Sequence, residues 1–372
     1  MEERSLNSRE RVLKTLQFEE PDRVPITELD VDVPLMEAIT GDVFPYAVSL
    51  QTPIITDRGL ERKRVDLKLK CYRKIGFDVF SIDLSTPDGW RPRIDQEGNM
   101  IDLWGRVMKL DKTTKAWVPY STVFTEPEDY KGFDMPDPEA LGWTFALEHA
   151  KKEIAGETAL ASFIRDPFAH AWEIFTPMKF VLWMHREPGF IRKVIEDIAD
   201  FNIAIIKRVT EVGVDLAISG GDYCDAKGPM VPTAFFREVI FPNLRRQAEA
   251  ARRAGVKFIK HTDGNINQLL GDLSDIVDGL HSLDPSASVD IGKIKEKYGD
   301  RLVLIGNISV DNLAEKERSD IRDEVRNCIK IASPGGGHIL SSSNSWAAGA
   351  KLENCLTLVE TGRKCGIYPI KV

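Results

Sequence analysis

Short apolar runs alternate along this chain with longer stretches in which apolar side chains recur every three to four residues. The runs are typical of strands buried on both faces, and the longer stretches are typical of amphipathic helices. Eight runs are present, at about residues 24–27, 77–83, 158–164, 214–219, 256–261, 279–283, 302–306 and 338–342. Because eight alternating strands and helices close a (β/α)₈ TIM barrel, the predicted fold is an α/β barrel.

The segment 88–136 lacks this alternation of short apolar runs and amphipathic stretches. It carries four glycines and short alternating patterns in place of helical periodicity. These features predict a β-hairpin with a long return loop, inserted after the second strand. We expect one TIM-barrel domain over residues 1–372, with this insertion as part of it.

Composition narrows the class of protein. The chain is 42% hydrophobic and 29% charged, as in ordinary soluble enzymes, and its net charge of −8 argues against nucleic-acid or anionic-membrane binding. The five cysteines are scattered without a C-x-x-C pair, which indicates reduced thiols. With no long apolar run and no apolar leader, the chain is predicted to be cytoplasmic. The chain has no G-x-G-x-x-G after the first strand and no P-loop motif, so no motif supports a nucleotide-binding fold.

Polar side chains stand at the ends of seven of the eight predicted strands. The clearest case is 256–265, where an apolar strand runs directly into His261 and Asp263. In a barrel the carboxyl ends of the strands meet at one mouth, so these side chains predict a polar active site. For any single residue, a helix cap or a structural hydrogen bond is the alternative. The predicted set is Asp83, Arg165, Asp222, His261, Asp263, Asp284, Asn307, Ser343 and Asn344. Within this set, the residues predicted to contact substrate are Arg165, Asp263, Asn307 and Asn344.

A metal site is predicted from three of the polar residues. Asp222 follows the fourth strand, Glu238 lies in the next helix and His261 ends the fifth strand. Two carboxylates and a neutral imidazole from separate elements, with one position left open, make a catalytic zinc arrangement. For Glu238 the alternative is an ion pair with Arg237 or Arg245.

Three further residues are predicted to contact substrate. Tyr223 follows Asp222 in the same loop, His281 lies on the sixth strand, and Trp346 follows Asn344. For His281, a hydrogen-bonded core position is the alternative, and for Trp346 an exposed loop aromatic is the alternative.

The chain resembles the uroporphyrinogen decarboxylase superfamily over nearly its whole length. The resemblance is carried by Asn7-Ser-Arg-Glu-Arg-Val-Leu13, Glu20-Pro-Asp-Arg-Val-Pro25, Gly228-Pro-Met-Val-Pro232, Lys260-His-Thr-Asp-Gly-Asn265 and Leu304-Ile-Gly-Asn-Ile308. It implies a TIM barrel and gives Asp83 the place of the family's catalytic aspartate. True decarboxylases carry arginines after the first strand. Here the acidic residues Glu28, Asp30 and Asp32 stand there, so repulsion of a polycarboxylate substrate is expected.

Within that superfamily, the methyltransferase-like branch is the better match. Thiol methyltransferases bind zinc through His-x-Cys, whereas this chain has His261-Thr-Asp263. The corrinoid-dependent O-demethylase methyltransferases are thought to use two acids and a histidine, as Asp222, Glu238 and His261 would provide. The resemblance therefore implies a zinc-assisted methyltransferase with Asp83, Asp222 and His261 in catalysis. A methylated small molecule, foremost an aryl methyl ether, would donate its methyl group to cobalamin on a corrinoid protein.

Three alternatives remain at this point. They are uroporphyrinogen decarboxylation, another metal-free lyase or a hydrolase on the same barrel, and a non-catalytic binding protein, because a fold does not fix its chemistry. A binding protein would leave the carboxylates at the mouth of the barrel unexplained. A homodimer is compatible with the sequence.

Overall fold

A curled sheet of seven parallel strands is the element around which the chain is arranged. The structure is a computed structural model that describes residues 6–45, 48, 53–113 and 116–371. The strands are β1 Val79–Asp83, β2 Arg93–Ile94, β3 Met100–Ile101, β4 Arg106–Asp111, β5 Ala116–Thr122, β6 Ala159–Arg165, β7 Leu216–Gly220, β8 Cys224–Asp225, β9 Gly228–Pro229, β10 Lys257–Thr262, β11 Gly279–Ser282, β12 Val303–Ile308 and β13 His338–Ser342. The parallel sheet has the order β1-β6-β7-β10-β11-β12-β13.

Helices follow the strands and cover the outer face of the sheet. They are α1 Ser8–Thr15, α2 Val33–Thr40, α3 Arg58–Ile75, α4 Pro127–Lys131, α5 Phe145–Ile154, α6 Pro167–Phe175, α7 Pro177–Arg186, α8 Pro188–Val212, α9 Thr233–Phe235, α10 Phe241–Arg253, α11 Leu270–Ser274, α12 Ile291–Tyr298, α13 Val310–Glu315, α14 Arg318–Ala332 and α15 Leu352–Cys365. A π-helical turn, Phe236–Ile240, joins α9 to α10. Within the described residues, no helix combines the length and the hydrophobicity that a membrane crossing requires.

Seven of the eight predicted strands are regular strands of this sheet, with ends shifted by one or two residues. The predicted first strand, 24–27, forms an isolated bridge instead. Leu340 N–H donates to the carbonyl of Pro25 at 2.9 Å, and Asp78 N–H donates to the carbonyl of Ile26 at 2.7 Å. The segment thus bonds to β13 on one side and to the start of β1 on the other. Pro25 has no N–H to give, which limits the regularity of the pairing.

Strand alternation divides the buried residues into two layers. Successive side chains of a strand point to opposite faces, so Ile218 and Ile259 pack in the interior cluster while Phe258 joins the cluster beneath the helices. Helix α1 contributes Val12 and Leu16 to the interior cluster. The same alternation sends His261, two residues after Ile259, to the inner side of the sheet.

The segment after β1 differs from its prediction. Instead of one hairpin, residues 93–122 form a four-stranded antiparallel sheet in the order β2-β3-β4-β5. It is anchored by Arg106, which is fully buried and bonds to Asp102 and to Glu173 of α6, both at 2.7 Å. A buried ion pair of this kind fixes the position of the inserted sheet relative to α6, next to β6.

Candidate metal centre and substrate cavity

The register of the parallel strands brings the candidate residues into one layer. Arg165 of β6 is paired with Gly220 of β7, Gly220 with His261 of β10, and His261 with His281 of β11. All four positions lie at the carboxyl ends of their strands, where parallel α/β folds bind ligands. Gly220 is required here, since a Cβ atom at this position would meet the Phe163 ring at 1.9 Å.

Three side chains converge at this layer as a candidate metal centre. One ligand atom from each of Asp222, His261 and Asp263 lies within 4.8 Å of the others. The His261 Nε2 atom is 3.9 Å from Oδ1 of Asp263, and Asp263 N–H donates to Oδ1 of Asp222 at 3.0 Å. Asn344 donates its amide to the other oxygen of Asp263. The Oδ1 atom of Asp263 is buried and has no hydrogen-bond partner among the described residues.

The electrostatics of this trio suit a divalent cation. Burial lowers the pKa of His261 to about 4, so the imidazole is neutral and has a lone pair available. Burial, together with the charge of Asp222, raises the pKa of Asp263 to about 7. A bound cation would offset the burial and the Asp222 charge that raise the pKa of Asp263. The donor set of two carboxylates and one imidazole is one that zinc accepts. The residues present therefore fit zinc.

His281 forms a hydrogen bond with His261 and fixes the orientation of its ring. The two Nδ1 atoms are 2.8 Å apart, so one ring donates to the other, and Nε2 of His281 lies 3.4 Å from the Ser341 hydroxyl. Burial keeps the pKa of His281 well below its ordinary value. The sequence assigns His281 to the substrate, whereas the structure places it beside the candidate ligand His261. Hydrogen-bond partners of this kind fix the orientation of metal-binding histidines.

A cavity of about 190 Å³ opens over the candidate metal centre. It is lined by Leu29, Asp30, Asp83, Phe163, Arg165, Asp222, His261, Asp263, Asn344 and Ser345. Three of its charged residues have ion partners, since Asp30 lies 2.6 Å from Lys68, Asp83 lies 3.4 Å from Arg64, and Arg165 pairs with Glu173. Burial raises the pKa of Asp83. The cavity thus contains the predicted residues Asp83, Arg165, Asp263 and Asn344.

Glu238 is not part of this site, so its predicted role as a metal ligand is wrong. Its side chain is 62% exposed and pairs with Arg192 at 2.8 Å. The reason is helical periodicity, because Phe236, Val239 and Ile240 turn inward and leave Glu238 on the opposite face. The ion-pair alternative holds, with a different arginine as the partner.

Three predicted substrate contacts are occupied elsewhere. Tyr223 is fully buried and donates its hydroxyl to Asp166 at 2.7 Å. The Asn307 amide donates to the carbonyl of Leu283 at 2.9 Å. Trp346 is fully buried, with its ring 5.3 Å from that of Phe77. It is therefore neither the substrate contact nor the exposed loop aromatic that the sequence analysis considers. None of these three residues lines the cavity, and the polar groups of Tyr223 and Asn307 are bonded within the core.

The acidic segment 28–32 also differs from its prediction. Glu28 is fully buried and accepts hydrogen bonds from the backbone and hydroxyl of Ser342 at 2.8 and 2.7 Å. Asp32 accepts from Ala348 N–H, and Asp30 pairs with Lys68 at 2.6 Å. Of the three acids only Asp30 lines the cavity, and its charge has a partner. Repulsion of anionic ligands by this segment is therefore weaker than the sequence predicts.

Glu28 gives the protein a pH-dependent stability. Burial raises its pKa from 4.5 to about 8. Between these values the unfolded chain releases the proton while the folded protein keeps it, so the free energy of unfolding should fall as pH rises. Glu28→Gln should remove a slope approaching about 1.4 kcal/mol per pH unit. Urea unfolding between pH 5 and pH 8 measures this, with exposed Glu249→Gln as the control that keeps the wild-type slope. An unchanged slope in Glu28→Gln would contradict the prediction.

Sequence reasoning missed four members of the cavity, and it assigned a fifth to the substrate alone. Leu29, Asp30, Phe163 and Ser345 line the cavity but were not candidates. Asp263 was expected at the substrate, and the structure also brings it to the candidate metal centre. Strand alternation offers a signal for two of them. Phe163 precedes Arg165 by two positions and Asp263 follows His261 by two, so each shares its neighbour's face of the sheet.

The family of the chain follows from comparison with known proteins. A family model described as uroporphyrinogen decarboxylase (URO-D) matches residues 104–365. The chain therefore belongs to the URO-D family, which confirms the resemblance found in its sequence.

The curated relatives and the solved structures fall into two groups by name. The uroporphyrinogen decarboxylases of Methylococcus capsulatus and Aeromonas salmonicida are 26% and 24% identical over 248 and 230 residues. Those matches cover 62% and 57% of this chain, and 67% and 61% of the relatives' own lengths. A methyltransferase from Methanosarcina mazei superposes with a TM-score of 0.74 at 18% identity, covering 96% of this chain and 99% of that one. A B12-independent methionine synthase from Shewanella sp. W3-18-1 gives a TM-score of 0.58 at 12% identity, covering 92% and 97%. These structures share the fold of the chain.

Proposed function

We propose that this protein is a zinc-assisted methyltransferase. It would move a methyl group from a methylated small molecule, foremost an aryl methyl ether, to cob(I)alamin on a corrinoid protein. The observation that carries the proposal is the convergence of Asp222, His261 and Asp263, with a buried oxygen of Asp263 that has no hydrogen-bond partner among the described residues. We infer that the curled sheet and segment 24–27 together form the (β/α)₈ barrel of a single domain, with the inserted sheet as part of it.

Asp222, His261 and Asp263 would hold the zinc ion. When bound, the ion supplies a Lewis acid that makes an ether oxygen a better leaving group. His261 is neutral at the working pH and is oriented by His281, while Asn344 holds the second oxygen of Asp263. Asp263 would lose its proton on metal binding, since a ligand carboxylate must be ionised.

Charge balance in the cavity favours a neutral methyl donor. Two carboxylates, those of Asp222 and Asp263, offset the two positive charges of a zinc ion. Asp83, Asp30 and Arg165 are paired with Arg64, Lys68 and Glu173. A charged substrate would have to compete with these internal pairs, whereas an ether would not.

Uroporphyrinogen decarboxylation is the second candidate. The names of the curated relatives and the place of Asp83 in the cavity favour it. Against it, Arg165 is the one arginine that lines the cavity in the described chain, and it is paired with Glu173. A volume of about 190 Å³ is also below the roughly 300–1,000 Å³ of pockets for larger ligands.

The two candidates separate in a direct assay. We expect purified protein, supplied with zinc, to convert cob(I)alamin to methylcobalamin in the presence of a methoxyaromatic compound, followed by the change in its visible spectrum. Protein treated with a chelator should lose this activity and regain it with zinc. Decarboxylation of uroporphyrinogen without metal, together with no methyl transfer, would overturn the proposal.

A further inference from the structure

A small recess of about 40 Å³ adjoins the substrate cavity beneath the inserted sheet. Three of its lining residues also line the cavity, so the two spaces meet. Its walls include Asp83, Phe163, Arg165, Trp104, Trp143 and Phe201. The four aromatic side chains make this the most aromatic part of the site, and they suit the faces and edges of a flat ring.

His170 of α6 also lines the recess, and its ring nitrogens have no hydrogen-bond partner in the part of the chain that the structure describes. Its side chain is buried, with the residue 4% exposed, and its ring lies 4.0 Å from that of Trp104. Neither Nδ1 nor Nε2 has a hydrogen bond within the described part of the chain, and Nε of Arg165 is unpartnered as well. Three buried polar atoms without partners therefore belong to two residues of one recess.

The chemical state of His170 defines what it can bind. Burial lowers its pKa well below the ordinary value, and the charges of Arg106 and Arg165 act in the same direction. A neutral imidazole has one N–H donor and one acceptor nitrogen, and the Arg165 Nε–H adds a second donor. A buried polar group left unpaired destabilises the protein, so a ligand that forms a hydrogen bond with it binds more tightly.

We propose that this recess binds the hydroxyl group of an aromatic methyl donor, with His170 as its specificity-determining residue. A hydroxyl group can meet one nitrogen of His170, either donating to the acceptor nitrogen or accepting from the N–H, and it can also accept a hydrogen bond from the Arg165 Nε–H. A carboxylate fits less well, because it cannot donate to the acceptor nitrogen of His170 and Arg165 is already paired with Glu173. The assignment rests on the proposed function for the position of the methyl group and on the recess for the hydroxyl.

The test measures binding in the absence of the corrinoid partner. Zinc-loaded protein is titrated calorimetrically with ortho-methoxyphenol and with methoxybenzene, which differ by the hydroxyl alone. We expect wild-type protein to bind the phenol at least about tenfold more tightly, since unpaired groups penalise the analogue that lacks the hydroxyl. His170→Phe keeps a flat ring against Trp104 but removes both nitrogens, and the ratio of the two affinities should fall to about one. His185→Phe, on the exposed side of α7, is the matched control and should keep the wild-type ratio.

Each result decides the proposal. Equal affinities in the wild type, no saturable binding of either compound, or an unchanged ratio in His170→Phe would overturn it. Failure of the proposed function is distinct, because it would leave the binding preference and its loss in His170→Phe intact while no methylcobalamin forms. Conversely, methyl transfer from both compounds with equal KM would support the function and reject the recess as its selective subsite.

Discussion

An alanine at position 261 should leave the protein without bound zinc and without methyl-transfer activity, while the fold stays intact. His261 provides the nitrogen ligand of the candidate centre, and His281 fixes its ring. Even outer-shell partners of metal ligands are typically worth 10- to 100-fold in affinity, so loss of the ligand itself should weaken zinc binding by more than roughly 100-fold. Elemental analysis of the purified variant, with circular dichroism as the check on folding, measures this.

Glu238→Ala is the matched control for the metal site. It removes a carboxylate that the sequence assigns to the metal but that the structure places on the surface beside Arg192. This variant should keep one zinc per chain, whereas Asp263→Ala should lose it as His261→Ala does. Zinc lost from Glu238→Ala and retained in Asp263→Ala would refute the ligand set proposed here.

The sequence predicts those features of the fold that depend on local repeats. Seven strands lie where short apolar runs indicate them, because strands buried on both faces need continuous apolar sequence. The position of His261 at the mouth follows from the same pattern, since it lies two residues beyond Ile259 on the inner side. The inserted sheet was underestimated because β2 and β3 are two residues long, and such strands have almost no periodicity to detect.

The predictions for the site fail where tertiary contacts determine the direction in which a side chain points. Tyr223 comes one residue after Asp222, yet it turns into the core against Phe168 and Phe236, with ring centroids 5.8 and 5.1 Å away. Nothing local distinguishes these two neighbours in a loop. His170 lies among apolar residues of a helix, and only the folded arrangement shows that both of its nitrogens lack partners among the residues that the structure describes.

Loss of the Asp166 carboxylate should destabilise the protein by about 3–5 kcal/mol, as removal of one member of a buried ion pair does. Asp166 is fully buried and accepts hydrogen bonds from Lys260 at 3.0 Å and from Ser219 at 3.1 Å, in addition to Tyr223. Lys260 has no exposed surface and also donates to the carbonyl of Gly221 at 2.7 Å. In Asp166→Ala its charge would remain buried without a counterion. Denaturation by urea, followed by circular dichroism, measures the loss.

Two further variants identify the cause of that loss. Adding Lys260→Met to Asp166→Ala removes the unpaired charge and should recover much of the stability, because replacing both members of a buried pair by apolar groups is often close to neutral. Asp200→Ala breaks the exposed pair with Arg246 and should change the free energy of unfolding by no more than about 1 kcal/mol. If the double variant were no more stable than Asp166→Ala, the buried charge would not be the cause. The lost hydrogen bonds to Ser219 and Tyr223, which hold the loop that carries Asp222, would then account for the effect.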